Sequence, residues 1–459
     1  MRSTSVVRIF TTSLDPDYDN PWQTASPSGS TGSGVIVGPR RVLTGAHVVA
    51  NATFIRVQNS TNPEKYVAEV LGVCHDADLA LLEVEDPAFM DGVEVAALGG
   101  LPSLRDKVSV VGFPVGGEEL SVTEGVVSRI EMQRYSHSDR RALAVTVDAA
   151  INSGNSGGPV FLGDKVVGVA FQSLDDAENI GEMVPASLVK RFLSGIEAGK
   201  PLSLPALGVR TQTLENPTLR RSLQMPEGVT GVLVRAIAHG SSADGVLKTG
   251  DAMLEIDGYP IANTGTIQYL GRHRTSYPVI LGEHFEGEEI PVVVLRDGQR
   301  LEVTLPLKAR CPLVPLSQYD VRPTYLIYAG LVFQPLTANF LRTWDKWWNS
   351  APKEFLYHFY FGVPTPDRTE VVALSQVLAD QINVGYQGLY EESIVEVNGH
   401  APRNMLDFVR RVDAAEGTLR LRTSTDSLIV LDVDAAREVG PRVLQRYRVA
   451  ADRSADLTA

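Results

Sequence analysis

Cysteine is nearly absent, since the 459-residue chain has only Cys74 and Cys311. Two thiols so far apart make at most one bridge, which excludes a disulfide-dense scaffold and leaves reduced, semi-buried thiols as the expectation. Basic residues are short too: 42 Lys and Arg against 55 Asp and Glu leave a formal charge of −13. Such a surface repels phosphate and anionic lipid, so no nucleic-acid partner is expected. No stretch of roughly 18 uninterrupted apolar residues occurs, so neither a transmembrane helix nor membrane insertion is expected. The segment from Met1 to Phe10 runs into no apolar core of a signal peptide. A cytoplasmic protein is therefore the default expectation, with an exported compartment if the numbering starts after a removed leader.

What is present suits a folded chain of several domains. Apolar residues make up 44% and charged residues 21%, ordinary globular values, and a single core stops growing at roughly 250–300 residues. From Val6 to about Phe192, short β-rich runs such as Gly34-Val35-Ile36-Val37 and Val108-Ser109-Val110-Val111 alternate with Gly, Pro, Asn and Asp turns, which predicts an all-β barrel or sandwich. A short helix is predicted near Ser187, and Ala198 to Pro205 carries the Gly and Pro punctuation of a linker.

Behind the linker the sequence repeats once. Leu254-Glu255-Ile256-Asp257-Gly258 recurs as Val395-Glu396-Val397-Asn398-Gly399, each a strand running into a glycine turn, which predicts two copies of one small module. Asp297-Gly298, between two β-rich runs of the first copy, is a two-residue hairpin signal. The second copy adds Phe340, Trp344, Trp347 and Trp348 at the spacing of one helical face, ending at Pro352, with Phe355, Leu356, Phe359 and Tyr360 as a further apolar face. This stripe covers a local core or serves self-association.

Three residues carry the chemistry. Ser156 lies in Gly154-Asn155-Ser156-Gly157-Gly158-Pro159, where the glycines let the chain turn sharply enough for the Gly154 and Ser156 N–H groups to converge on one point. A serine hydroxyl needs a base, and His47 follows the apolar run Val42-Leu43-Thr44. Asp78 enters the apolar run Leu79 to Leu82, where burial without a partner would be costly; its rival Asp76 reads as a solvated turn residue. Taken singly these are a turn serine, a structural histidine and a strand-capping aspartate. Jointly they stand in the His, Asp, Ser order of the chymotrypsin triad, in which the first of two six-stranded barrels supplies base and acid and the second the nucleophile and oxyanion hole.

Thr44-Gly45-Ala46-His47, Asp78-Leu79-Ala80-Leu81-Leu82 and Gly154 to Pro159 resemble the three signature blocks of the HtrA/Deg serine proteases. Ser33-Gly34-Val35-Ile36-Val37, Val111-Gly112-Phe113-Pro114, Ser121 to Ser128 and Glu178-Asn179-Ile180-Gly181 fit the same pattern, and the tail resembles the plant Deg branch. The resemblance implies a mainly β protein: a chymotrypsin-like double β-barrel over 1–198, a PDZ domain over 206–310 and a second PDZ-like α/β module over 311–450 with the helical insertion. Three departures stand out. Gly45 replaces the usual Ala or Asn, Glu182-Met183-Val184-Pro185 replaces a more hydrophobic stretch, and Glu391-Glu392 stands where the first copy has Gly250-Asp251, which puts the PDZ turn of the second copy in question.

The implied activity is an ATP-independent serine endopeptidase acting on unfolded or misfolded proteins, with His47, Asp78 and Ser156 as triad, Gly154 and Ser156 as oxyanion hole, and no metal or organic cofactor. Gly168 to Phe171 should pair with extended substrate. Ala150, at the pocket floor, with Ile151 and Ala170, predicts cleavage after small or medium aliphatic residues, unless Glu182 turns inward and favours a basic one. The PDZ resemblance implies capture of peptide C-termini at Leu207-Gly208-Val209, with Gly330-Leu331-Val332-Phe333 as the counterpart in the second copy. The HtrA/Deg resemblance and the aromatic stripe on the insertion together imply a trimer-based homo-oligomer, with Trp344, Trp347 and Trp348 as candidate contacts. The rival readings are a PDZ scaffold or chaperone on a latent protease fold, and a small-ester hydrolase using the same triad.

Overall fold

The computed structural model describes residues 3–114, 119–149, 151, 154–173 and 180–458. By contacts the chain divides into two compact units. One holds Met1–Leu14, Pro27–Ile237 and Ser241–Arg310, and the other Asp15–Ser26, Ala238–Gly240 and Cys311–Ala459.

In the first unit, β1 (Val6–Ser13), β2 (Ser28–Gly38), β3 (Arg41–Thr44), β4 (Ala52–Asn59), β5 (Tyr66–Cys74) and β6 (Leu79–Val84) close into a barrel of order β1-β2-β3-β6-β5-β4. Its apolar strand residues, Ile9, Val42, Val57 and Leu82 among them, are buried together. A helical turn, α1 (Ala46–Val49), leaves β3 directly. The two-residue β7 (Ala97–Leu98) precedes β8 (Lys107–Gly112), β9 (Ser121–Arg134), β10 (Arg141–Val147), β11 (Pro159–Leu162), β12 (Lys165–Ser173) and β13 (Gly181–Pro185). These run β11-β8-β9-β10-β13-β12-β7, and the pairing of β11 with β12 closes a second six-stranded barrel. The fold is thus mainly β with two barrels, as the turn-separated β-rich runs predict. Helix α2 (Ala186–Glu197) follows, burying Leu188, Val189 and Phe192.

The same unit contains the first repeat copy. It comprises β14 (Val209–Thr213), α3 (Pro217–Ser222), β15 (Val232–Ile237), β16 (Ala252–Ile256), β17 (Tyr259–Pro260), the hairpin β18 (Thr266–Tyr269) with β19 (His273–Ser276), and the hairpin β20 (Glu289–Arg296) with β21 (Gln299–Pro306). Asp297 and Gly298 both take positive φ at the β20–β21 turn, so the hairpin forms where Asp-Gly predicts it. Its main sheet runs β14-β15-β16-β20-β21, which leaves β14 at an edge.

The second unit has β22 (Leu326–Tyr328), β23 (Leu331–Pro335), α4 (Ala338–Leu341), α5 (Trp347–Ser350), α6 (Lys353–Phe361), β24 (Val372–Val377), β25 (Glu392–Val397), α7 (Met405–Asp413), β26 (Thr418–Thr423), β27 (Leu428–Asp432) and α8 (Val433–Tyr447), with strands in sequence order in one sheet. The helical insertion is present but broken. Lys346 takes a left-handed φ of 49°, so Phe340 and Trp348 do not share one helix. Phe340 is buried, and Trp344, Trp347, Leu356 and Phe359 pack around it and Phe355, whereas Trp348, Tyr357, Tyr360 and Phe361 are exposed. The turn questioned at Glu391-Glu392 survives: Glu391 adopts the positive φ that Gly250 has, and its N–H bonds the Leu374 carbonyl as that of Gly250 bonds Val234.

Candidate active site

The pairing of β3 with β6, with Thr44 opposite Ala80, brings two chain ends together: His47 on α1 just after β3, and Asp78 just before β6. Asp78 takes a φ of 51° at the end of the 3₁₀ turn His75–Ala77 and is buried. One carboxylate oxygen accepts the His47 backbone N–H at 2.8 Å, and the other lies 2.7 Å from His47 Nδ1. These two contacts fix the ring orientation, because rotation of either side chain breaks a short bond. Burial disfavours the imidazolium, yet the charge and hydrogen bond of Asp78 outweigh it and hold the His47 pKa above the usual histidine value. Burial likewise opposes ionisation of Asp78, but His47, by charge and hydrogen bond, and then His137 keep its pKa below the usual carboxylate range. A Cβ at Gly45 would stand 2.8 Å from His47 Nδ1, so the glycine that departs from the family pattern gives the ring its space.

Ser156 comes from the other barrel, on the turn entering β11. Its carbonyl accepts the Ser33 N–H at 3.0 Å. The Ser33 hydroxyl donates to the Gly154 carbonyl at 2.7 Å and accepts from the Phe113 N–H, and the Ser33 carbonyl accepts the Thr44 hydroxyl at 2.8 Å. Ser33 therefore staples the serine turn to the strand that delivers His47. Gly154 and Gly157 both have positive φ, and a Cβ at Gly157 would fall 2.3 Å from the Thr44 hydroxyl, so no other residue fits there. Among the described residues, no intramolecular partner engages the N–H of Gly154 or Ser156. His47 Nε2 is buried and has no hydrogen-bond partner, so the structure pairs histidine with aspartate but leaves the serine–histidine bond unformed.

Several expected details come out differently. Gly168 and Val169 have strand partners on both sides, and Ala170 spends its N–H on Gly158 and its carbonyl on Gly157; these three residues of the expected Gly168–Phe171 stretch are no open edge for substrate. Ala150 lies outside the described residues. Ile151 is buried against Gly181, and Ala170 is buried. Glu182 is fully buried, with one oxygen accepting from Gln172 at 2.5 Å and the Thr146 hydroxyl opposite it across the β10–β13 pairing. Burial raises its pKa against the pull of Gln172 and Arg129. Asp76 is not a solvated turn residue either, for its carboxylate accepts the Leu204 N–H at 2.9 Å. Reading the sequence missed Ser33 and Thr44 as working residues. Their signal was a hydroxyl inside a buried apolar strand, where a partner is required.

In the first repeat copy Leu207 is buried, and Gly208 has a φ of 73° with the Cβ position 2.1 Å from Ser241 Cβ. Val209 then opens the edge strand β14. In the second copy, Ala329 and Gly330 form a two-residue turn with positive φ, and β22 pairs with β23 from Leu326 opposite Phe333 to Tyr328 opposite Leu331. Both sides of β23 are therefore occupied.

The trypsin-like peptidase domain family matches residues 32–169, and the PDZ domain family matches residues 314–456. Over 458 residues the chain is 37% identical to the protease Do-like 2, chloroplastic, of Arabidopsis thaliana, covering 99% of this chain and 75% of that one. It is 35% identical over 447 residues to the protease Do-like 4, mitochondrial, of the same plant, covering 97% and 84%. Among solved structures it is similar to the HtrA-type protease AlgW with tripeptide, at 27% identity and a TM-score of 0.52, over 68% of this chain and 95% of that one. Among the described residues no helix is long and apolar enough to cross a membrane.

Proposed function

We propose, for a chain that belongs to the HtrA/Deg family of serine endopeptidases, that His47, Asp78 and Ser156 are its catalytic triad and that its substrates are unfolded or damaged proteins cleaved without ATP. The observation that carries this is the pair of hydrogen bonds between His47 and Asp78, beside a serine turn stapled by Ser33 to the strand that leads to that histidine. Ser156 attacks the scissile carbonyl, His47 Nε2 takes its proton and passes it to the leaving amine, water then releases the acyl group from Ser156, and Asp78 holds the ring and stabilises its charged form. The N–H groups of Gly154 and Ser156 receive the oxyanion. The 206–310 module captures peptide C-termini on β14, and the 311–450 module serves assembly. Incubation with casein tests the reading: Ser156→Ala should lose on the order of 10⁶ in kcat while keeping its fold. Comparable cleavage by that variant would overturn the triad, and hydrolysis of small esters with casein left intact would favour an esterase.

The base works only when neutral. Because its pKa is raised from 6.5, the rate should fall with decreasing pH through a midpoint above that value. A rate that stays flat down to about pH 5 would exclude His47 as base.

The unformed serine–histidine bond favours a second reading of the resting state, in which the site is latent and closes its triad when substrate binds. A lag in casein cleavage that disappears on preincubation with peptide distinguishes latency from a permanently silent scaffold. Cleavage after aliphatic residues follows from Ala150, Ile151 and Ala170, while the buried Glu182 is the competing determinant. Mass-spectrometric mapping of casein fragments decides, since Lys or Arg at most cleaved positions would assign the preference to Glu182. A homo-oligomer is proposed through the exposed Trp348, Tyr357 and Phe361 rather than the inward-packed Trp344, and light scattering reads it.

A further inference from the structure

The segment between barrel and first module reads as a linker, yet side chains of the barrel and of α2 hold its backbone at each residue from Leu202 to Pro205. The Leu202 carbonyl accepts from the Cys74 thiol at 3.0 Å and from Arg191 at 2.9 Å, and the Ser203 carbonyl from Arg191 at 2.9 Å. The Leu204 N–H donates to Asp76 at 2.9 Å. Arg140 donates to the Leu204 carbonyl at 2.7 Å and to that of Pro205 at 3.3 Å, and its Nε lies 3.6 Å from the other Asp76 oxygen. Arg191, only 7% exposed, also donates to the His284 carbonyl of the first module at 2.8 Å and stacks 4.3 Å over Phe285. A guanidinium so committed cannot let go of one partner without leaving a buried donor unpaired.

This clamp closes on one place, the 3₁₀ turn His75–Ala77, whose next residue is Asp78. Every residue of the turn is restrained. His75 Nδ1 lies 2.9 Å from His137 Nε2, Asp76 holds Leu204 and Arg140 while its carbonyl accepts the Ser138 hydroxyl at 3.1 Å, and Ala77 is buried. Asp78 itself sits in the left-handed region with its N–H on the His75 carbonyl at 3.1 Å. Aspartate tolerates that conformation better than most side chains, and here the bonds of the preceding turn fix it in place. The aspartate that orients His47 thus inherits its position from a turn gripped by the segment that leads into the first module.

We propose that Asp76 and Arg140 are positioning residues for Asp78, and that residues 202–205 complete the grip on the turn that precedes it. The proposal rests on the triad reading above. Its chemistry is mechanical: Asp78 must keep both its bonds to His47, and a shift of the turn by a fraction of an ångström lengthens both.

The test uses the full chain. The charged groups around the pair are Asp78, His75, His137, Asp76 and Arg140, with Arg191 behind the tether, so loss of charge must be separated from loss of grip. Asp76→Ala removes both, whereas Asp76→Asn keeps an oxygen for the Leu204 N–H. Asp76→Ala should lower kcat on casein roughly tenfold, with KM within about twofold of the starting value. Asp76→Asn should recover most of that loss. In a Ser156→Ala background, His47 followed by NMR should titrate at lower pH with Asp76→Ala than with Asp76→Asn, which loses the same charge, and this reading needs no proteolysis. Should Asp76→Ala fail to fold, Arg140→Gln carries the same expectation. Unchanged kcat and an unchanged His47 titration in the Ala or Gln variant would overturn the proposal, as would an Asn variant as impaired as the Ala one. Failure of the triad reading shows differently, as casein cleavage that survives Ser156→Ala.

Discussion

The two copies of the repeat share a strand order and a left-handed turn, yet they treat their edges in opposite ways. In the first, the glycine turn at Gly208 leads into β14, which has a strand partner on one side only. In the second, the corresponding glycine, Gly330, sits inside a two-residue hairpin, and β22 takes the place an added strand would occupy beside β23. An outside peptide adds a strand only where backbone donors and acceptors remain unpaired. Possession of the motif therefore says less about peptide binding than the pairing state of the strand that follows it. The PDZ family match falls on the second copy, the one whose edge is closed.

The contrast can be broken at its strongest point. In the first copy Asp251 is buried and bound by Arg296 through two bonds of 2.7 Å, with the Lys248 N–H at 2.8 Å. Removing one partner of such a pair costs about 3–5 kcal/mol. Asp251→Ala should lower the denaturant midpoint and abolish peptide capture together, and a variant with unaltered stability would show the pair to be dispensable. Gly208→Val is the sharper probe of binding. A side chain there meets Ser241, so isothermal titration of Ser156→Ala protein with a short peptide bearing a free C-terminus should show affinity reduced by about 2 kcal/mol, the cost of misplacing a strained turn. Equal affinity before and after would place peptide capture elsewhere in the molecule. The smallest effect should come from Glu391→Gly in the second copy, which relieves a positive φ of 64° and should stabilise that unit by about 1 kcal/mol, with peptide affinity unaltered. A loss of stability on melting would mean that the Glu391 side chain contributes more than its backbone costs.

The site was legible to the extent that its chemistry is local. The glycines around Ser156, the apolar run behind Asp78 and the strand before His47 are short-range signals, and their order along the chain points to two barrels. The repeat was legible for a similar reason, since Asp257-Gly258 and Asn398-Gly399 both take the left-handed turn that such pairs favour. The aromatic stripe misled because periodicity cannot register a single left-handed residue, Lys346, that breaks the helix. Asp76 misled because its partner Leu204 lies 128 residues away.

What the sequence by itself determined is the inventory of reactive groups, the β character of the first two hundred residues and the twofold repeat behind them, because each follows from residue type and spacing over a few positions. Only the tertiary structure decided how these are coupled: that Ser33 ties the Ser156 turn to the strand leading to His47, that the apparent linker is a clamp behind Asp78, and that one repeat copy exposes its edge while the other closes it. These depend on hydrogen bonds between residues far apart in the chain. No local pattern specifies which distant carbonyl a buried N–H will find, although burial requires that it find one.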